Sequence, residues 1–271
     1  MTGIRYIKIM AAAAFAVIST LASAQKYPDG IVDKTIAVIG NEMITISDLE
    51  EEMQMMQAYG MGSDKNARCE ALEEMMVAKL FLMQARLDSL EMNGDMVGWI
   101  KIEGSPMNYP VMQTPDEPNY YLYRDFDKKD SARGSIYARE VCDINAPSDN
   151  VTLYGHNMAD GSMFACLNNY VHKYNWDKNS LIFFDTLTEY HTYKIFAVFK
   201  TSANIGQGFS YHQFVDAENE AEFDEFVSTC KKLAFYDTGI TPVYGDKLIC
   251  LSTCEYTLDN GRLVVAAVRI T

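Results

Sequence analysis

Hydrophobic positions change their period once along this chain. Up to about residue 92 they recur at helical spacing: Leu72, Met75, Met76, Leu80, Leu82, Met83, Leu87 and Leu90 alternate with charges, which predicts a long amphipathic helix from about Asn66 to Met92. A shorter acidic, Met-rich helix is expected from Asp48 to about Tyr59, with Ser47 and Glu50 as a capping box and Gly60 and Gly62 past its end. Before it, Ile31 to Ile39 and Ile44 to Ile46 are rich in β-branched residues and flank Gly40-Asn41-Glu42, the pattern of a hairpin. From about Met96 short extended runs alternate with turn signals. Val97 to Ile102, Tyr109 to Gln113, Gly134 to Tyr137, Val151 to Tyr154, Leu181 to Phe184, Tyr190 to Thr201, Lys247 to Thr253 and Leu263 to Ile270 make about eight candidate strands, suited to a closed barrel or a sandwich. Between the sixth and seventh, Ala217 to about Phe235 carries a helical stripe of Phe223, Phe226, Val227, Cys230 and Leu233.

The first 24 residues fit neither pattern. Arg5 and Lys8 precede an apolar stretch from Ile9 to Ala22, and Ala22-Ser23-Ala24 is a small-residue cleavage site, so an export signal is expected. The stretch is short of the roughly 20 apolar residues that span a bilayer, which favours a cleaved signal over an anchor and places the protein outside the cytoplasm. With 23 Lys+Arg against 37 Asp+Glu the formal charge is −14, and the basic residues do not cluster; a nucleic-acid partner is not expected. Six cysteines in an exported chain suggest disulfides. The spacing is irregular, however, and Cys250 and Cys254 on one strand would stand about 13 Å apart, too far to bond. At least one thiol is free to have another use.

The chain has four histidines, and His156 is the best placed for chemistry: it follows a strand and the Gly155 turn, at a strand end. His191 falls within an alternating strand, and His172 and His212 lie in polar segments; these read as ordinary surface or core residues. Cys254 ends the strand beginning at Lys247, and Arg262 opens the next after the turn through Asp259, Asn260 and Gly261. A guanidinium near a thiol would favour thiolate and stabilise an oxyanion. Thiol, imidazole and cation at strand ends compose an acyl-transfer site, against the alternative of a structural cysteine in an apolar strand.

Eight segments carry a resemblance: Asp95 to Ile102 (DMVGWIKI), Asn108 to Gln113 (NYPVMQ), Tyr120 to Leu122 (YYL), Gly134 to Tyr137 (GSIY), Tyr154 to Met158 (YGHNM), Gly161 to Phe164 (GSMF), Leu251 to Cys254 (LSTC) and Arg262 to Val265 (RLVV). In this order and at these intervals, residues 95–271 resemble a class B sortase. The resemblance implies a mainly β fold, an eight-stranded barrel with an inserted helix, preceded here by a helical N-terminal segment. It implies Cys254 as nucleophile, His156 as general acid/base and Arg262 as the residue that positions substrate and stabilises the oxyanion. Ser252, Glu255 and Leu122 would line the peptide groove, and Tyr154 and Asn157 would pack and orient His156. Cys250 departs from the family's usual Thr before "LST" and should face away from the reactive thiol or lie below it. The implied partners are the sorting-motif peptide of a surface protein and an amine of a peptidoglycan precursor; no cofactor and no metal are implied.

Residues 25–92 resemble instead the opening of SurA-like periplasmic chaperones, without a recognisable prolyl-isomerase domain after it. The expected division is thus a signal peptide at 1–24, a helical segment at 25–92 and a catalytic domain at 95–271. A junction near residues 92–97 would suit a fusion or chimeric assembly. A secreted client-binding chaperone is the competing function, and a cysteine protease, with water as acceptor, a third.

Overall fold

Alternation of the pleat builds the part of the chain that matters for chemistry. The structure, a computed structural model, describes residues 34–39, 42–58, 67–204 and 206–270. The chain divides between Asp88 and Ser89 into two units. The expected export signal, the hairpin residues 31–33, 40 and 41, and the glycines at 60 and 62 lie outside the described residues.

In the first unit β1 (Thr35–Ile39) pairs antiparallel with β2 (Glu42–Thr45). Ala37, Ile39 and Ile44 are buried against Leu72, Met75, Met76 and Leu80 of α2 (Ala67–Met92), so part of the Met stripe packs on the hairpin. Helix α1 (Ile46–Ala58) opens earlier than expected. Its capping pair is Thr45 and Asp48: Asp48 N donates to Thr45 Oγ1 at 3.2 Å and Thr45 N donates to Asp48 Oδ2 at 2.8 Å. The strand runs straight into the helix, so the last strand residue takes the cap that Ser47 was expected to fill.

The second unit is a closed barrel in the order β10-β8-β7-β3-β4-β5-β6-β9. Its strands are β3 (Met96–Lys101), β4 (Asn108–Met112), β5 (Ile136–Ala138), β6 (Asn150–Tyr154), β7 (Leu181–Thr186), β8 (Thr192–Ser202), β9 (Leu248–Glu255) and β10 (Gly261–Arg269). Ile100, Val111, Ile136, Leu153, Ile195, Leu251 and Val265 meet in one buried core, and burying such side chains contributes about 1.5–3 kcal/mol each. The alternate residues of β8, β9 and β10, among them Phe196, Phe199, Leu248, Cys250 and Val264, form a second buried layer against α4 (Glu220–Leu233). Phe223, Phe226, Val227 and Cys230 supply its apolar stripe, and Phe226 stacks on Phe214 with ring centroids 4.1 Å apart. Asn219 caps the helix by accepting from Glu222 N at 3.2 Å, and Lys231 and Lys232 close it, in keeping with its dipole.

All six cysteines are free thiols. Burial raises the thiol pKa of Cys142, Cys166, Cys230 and Cys250. Cys250 shares its strand face with Cys254, four residues away, but lies beneath α4; of the two expectations for it, the position below the reactive thiol is the one observed. Short elements escaped the pattern: the 3₁₀ turns Tyr120–Tyr123, Ala165–Val171 and Tyr211–Gln213 and the helix α3 (Lys173–Lys178) are each seven residues or fewer, too brief for a period to register.

Candidate active site

Three neighbouring strands bring the candidate residues to one end of the barrel. β6 runs parallel to β9, with Tyr154 opposite Ser252, and β9 runs antiparallel to β10, with Cys254 opposite Arg262. Directly paired residues of antiparallel strands stand about 4.5–5.5 Å apart at Cα and point to one face, so the thiol and the guanidinium are neighbours by register. Gly155 continues the β6–β9 pairing, its N–H donating to Ser252 O at 3.2 Å, and His156 follows immediately.

A side chain at position 155 has no room. A Cβ there would fall 2.5 Å from Ile136 Cδ1 and 2.7 Å from Phe164 Cγ, which is why glycine precedes the histidine. Thr253, whose side chain turns to the other face, donates from Oγ1 to Gly155 O at 2.7 Å. Asn157 Nδ2 donates to Cys254 O at 2.9 Å, and Asn168 Nδ2 donates to Asn157 Oδ1 at 2.9 Å. The loop carrying His156 is therefore tied to the main chain of Cys254 itself. The imidazole meets Leu122 O at 2.7 Å through Nε2, and the Tyr123 ring lies against it with centroids 5.5 Å apart.

His156, Cys254 and Arg262 line one cleft of about 360 Å³ together with Asn119, Leu122, Tyr137, Tyr154, Tyr211, His212, Ser252 and Asn260. Arg262 donates from one terminal nitrogen to Asn260 O, Asn260 Oδ1 and Gly261 O at 3.2, 3.1 and 2.9 Å. None of these acceptors is a carboxylate, so they orient the cation without neutralising it. Tyr211 and Ser252 share a hydrogen bond of 2.6 Å, and burial pushes the Tyr211 phenol up to about 12. Burial likewise raises Tyr137 and Tyr154, so the aromatic wall of the cleft stays uncharged at neutral pH. The arrangement offers one partly exposed thiol, an imidazole on the loop tied to it and a cation that no carboxylate engages among the described residues: it is the equipment of a cysteine acyltransferase on a closed barrel.

Two residues stand elsewhere than the sequence suggested. Glu255 is not among the residues lining the cleft. The alternation that turns Cys254 outward turns Glu255 inward, where it is buried and accepts from Lys200 Nζ at 2.6 Å, from Thr257 N at 3.0 Å and from Leu258 N at 3.1 Å. It braces the turn that carries Arg262. His212, read as an ordinary polar residue, lines the cleft; burial, then the Arg139 and Arg262 guanidiniums, hold its imidazole below the usual range. No local pattern marked it, because a 3₁₀ turn from outside the strands carries it there.

Glu255 makes a testable contribution to stability. Burial opposes its charge, but the Lys200 ammonium and the Thr257 hydrogen bonds outweigh that and hold its carboxyl at about 2, against an ordinary 4.5. A folded-state value below the unfolded one means stability that is present above pH 4.5 and lost as pH falls towards 2, on the order of 3 kcal/mol. Urea unfolding of wild type at pH 6 and pH 3 should show part of this loss, and Glu255→Gln should lack it. Parallel pH profiles for the two proteins would disprove the assignment.

Comparison with known proteins identifies the class. Residues 100–270 match the family model described as Sortase domain. Sortase B of Staphylococcus aureus is 30% identical over 188 residues, taking in 68% of this chain and 75% of that protein; sortase B of Listeria monocytogenes is 32% identical over 193 residues, taking in 68% and 73%. The Bacillus anthracis sortase B structure in complex with AAEK1 aligns with a TM-score of 0.58 at 31% identity, over 67% of this chain and 82% of its own. The S. aureus sortase B–substrate complex aligns with a TM-score of 0.62 at 26% identity, over 83% of this chain and 94% of its own. The chain belongs to the sortase family. Within it, the relatives make this a class B sortase, a cysteine transpeptidase.

Proposed function

We propose that Cys254 is the nucleophile of this transpeptidase, His156 its general acid/base and Arg262 the residue that positions substrate and steadies the oxyanion. The observation that carries this reading is their meeting in one cleft from three adjacent strands, with Cys254 and Arg262 in direct register. In the first half-reaction Cys254 Sγ attacks the threonyl carbonyl of a Pro- and Thr-containing sorting motif on a surface protein. Arg262 stabilises the oxygen as it gains charge. His156 hands a proton to the departing amine as the C–N bond breaks, and a thioester remains. In the second half-reaction an amine of a peptidoglycan precursor attacks the thioester, gives up its proton through His156 and releases the thiol. Ser252 and the Leu122 side chain line the peptide's path, while Glu255 supports the turn behind Cys254.

Residues 1–24 are read as an export signal that delivers the enzyme to the cell envelope. For the N-terminal part a specific observation favours one assignment. The S. aureus alignment takes in 83% of this chain, more than residues 89–271 amount to, so it reaches into the first unit. That supports an N-terminal extension belonging to the enzyme, rather than a fused chaperone segment.

The test is intact-mass spectrometry of the full chain mixed with candidate sorting peptides, followed by peptide mapping. A peptide adduct on Cys254 that an added amine converts to a ligated product is the expected result. A folded protein that forms no adduct with any motif peptide, or an adduct on another residue, would overturn the reading.

A further inference from the structure

The hydrogen bond between His156 Nε2 and Leu122 O decides more than the tilt of a ring. A main-chain carbonyl only accepts, so Nε2 must carry the hydrogen in this 2.7 Å contact. In the neutral imidazole the bare nitrogen is then Nδ1. The carboxylate next to the nucleophile, Glu255, takes no part, since Lys200 and the Thr257 and Leu258 N–H groups engage it. What orients the histidine is a carbonyl on a 3₁₀ turn, and the question becomes what holds that carbonyl.

The answer lies twelve to fifteen residues further on. Gly134 has φ of +57°, and a Cβ on it would fall 2.3 Å from Leu122 O and 2.7 Å from Tyr121 O. Only glycine lets the two backbones approach so closely. The neighbouring residues clamp the same turn: Ser135 N donates to Tyr121 O at 3.0 Å, Ser135 Oγ to Arg124 O at 3.0 Å, and the Tyr137 hydroxyl to Asn119 Oδ1 at 2.9 Å.

Building on the proposed role of His156, we propose that the Leu122 carbonyl, seated against Gly134, assigns the two nitrogens of His156 their tasks, with Gly134 as a positioning residue. Nε2 keeps its proton throughout the cycle. Nδ1 takes the proton of Cys254 as the S–C bond forms and delivers it to the leaving amine as the C–N bond breaks. In the second half-reaction Nδ1 takes the proton of the incoming amine and returns it to the sulfur. Adding a methyl group at residue 134 displaces the carbonyl, frees the ring to turn and leaves neither nitrogen assigned.

Two measurements on the full chain test this. Nitrogen-15 NMR of histidine-labelled wild type, with the His156 signals assigned by loss in His156→Gln, should show the neutral ring protonated at Nε2; a neutral ring protonated at Nδ1 overturns the proposal. Gly134→Ala should lower the kcat for peptide cleavage at least tenfold, change KM less than twofold, shift the pH profile, and abolish the single-tautomer signature. Gly104→Ala is the matched control. Its φ is +67° and an added Cβ there meets nothing within 4 Å, so it imposes similar backbone strain without touching a carbonyl. Folded variants with equal kcat and unchanged His156 signals would sink the idea. Should Gly134→Ala fail to fold, the wild-type tautomer decides alone. Absence of any Cys254 adduct in wild type would instead refute the catalytic assignment, while the nitrogen signals would still report whether Leu122 O holds the ring.

Discussion

Cys254→Ala is expected to abolish thioester formation and lower transpeptidation by at least about 10⁴-fold, while leaving the protein folded. A thioester needs a thiol, Cys254 is the only one lining the cleft among the described residues, and alanine supplies nothing in its place. The other thiols offer no substitute. Cys142, Cys166, Cys230 and Cys250 are buried, with their thiols pushed up by burial, and Cys69, an exposed residue of the first unit, is not among the residues that line the cleft. The position is only partly buried, so the substitution should cost less than about 1 kcal/mol of stability. Intact-mass analysis beside a melting curve checks both halves. Retention of a hydroxylamine-sensitive peptide adduct in Cys254→Ala would mean the nucleophile is another cysteine, with Cys69 the accessible one.

His156→Gln is expected to lower the acylation rate by about 10²–10⁴-fold with little effect on peptide binding. Glutamine is the informative replacement because its side-chain amide nitrogen can donate to Leu122 O much as Nε2 does. It keeps the loop in place but has no group that takes and returns a proton near neutral pH. The geometry around the site should survive, since Asn157 still ties the loop to Cys254 O and Thr253 still binds Gly155 O. Stopped-flow acylation should be slower than wild type at every pH at which both proteins are folded. A Gln variant with wild-type rate and pH profile would remove His156 from the mechanism.

Much of this site was legible because the chemistry uses side chains whose positions local pattern betrays. Cys254 and Arg262 face each other across a short turn, a relation that alternation and turn residues make visible along the chain. His156 stood out by its strand-end position after a glycine, and the steric reason for that glycine emerged only with Phe164 and Ile136 in view. Glu255 misled because adjacency to the nucleophile says nothing about facing: one residue along a strand reverses the side, and its partner Lys200 lies 55 positions away. His212 and the Leu122 carbonyl were invisible for different reasons. The first reaches the cleft on a brief 3₁₀ turn, and the second is a main-chain atom that every residue possesses.

The sequence by itself determined where the barrel strands and the longer helices would lie, because a period of two or of three to four is written in successive residues and read by local backbone geometry. It also determined the kind of chemistry on offer, since thiol, imidazole and guanidinium are properties of residues. Only the tertiary structure decided that β6 lies parallel beside β9, a pairing that joins residues 98 positions apart and depends on closing the whole barrel. It alone decided which nitrogen of His156 faces a carbonyl, because that follows from the packing of a 3₁₀ turn against a glycine whose need for space no neighbouring residue in the chain records.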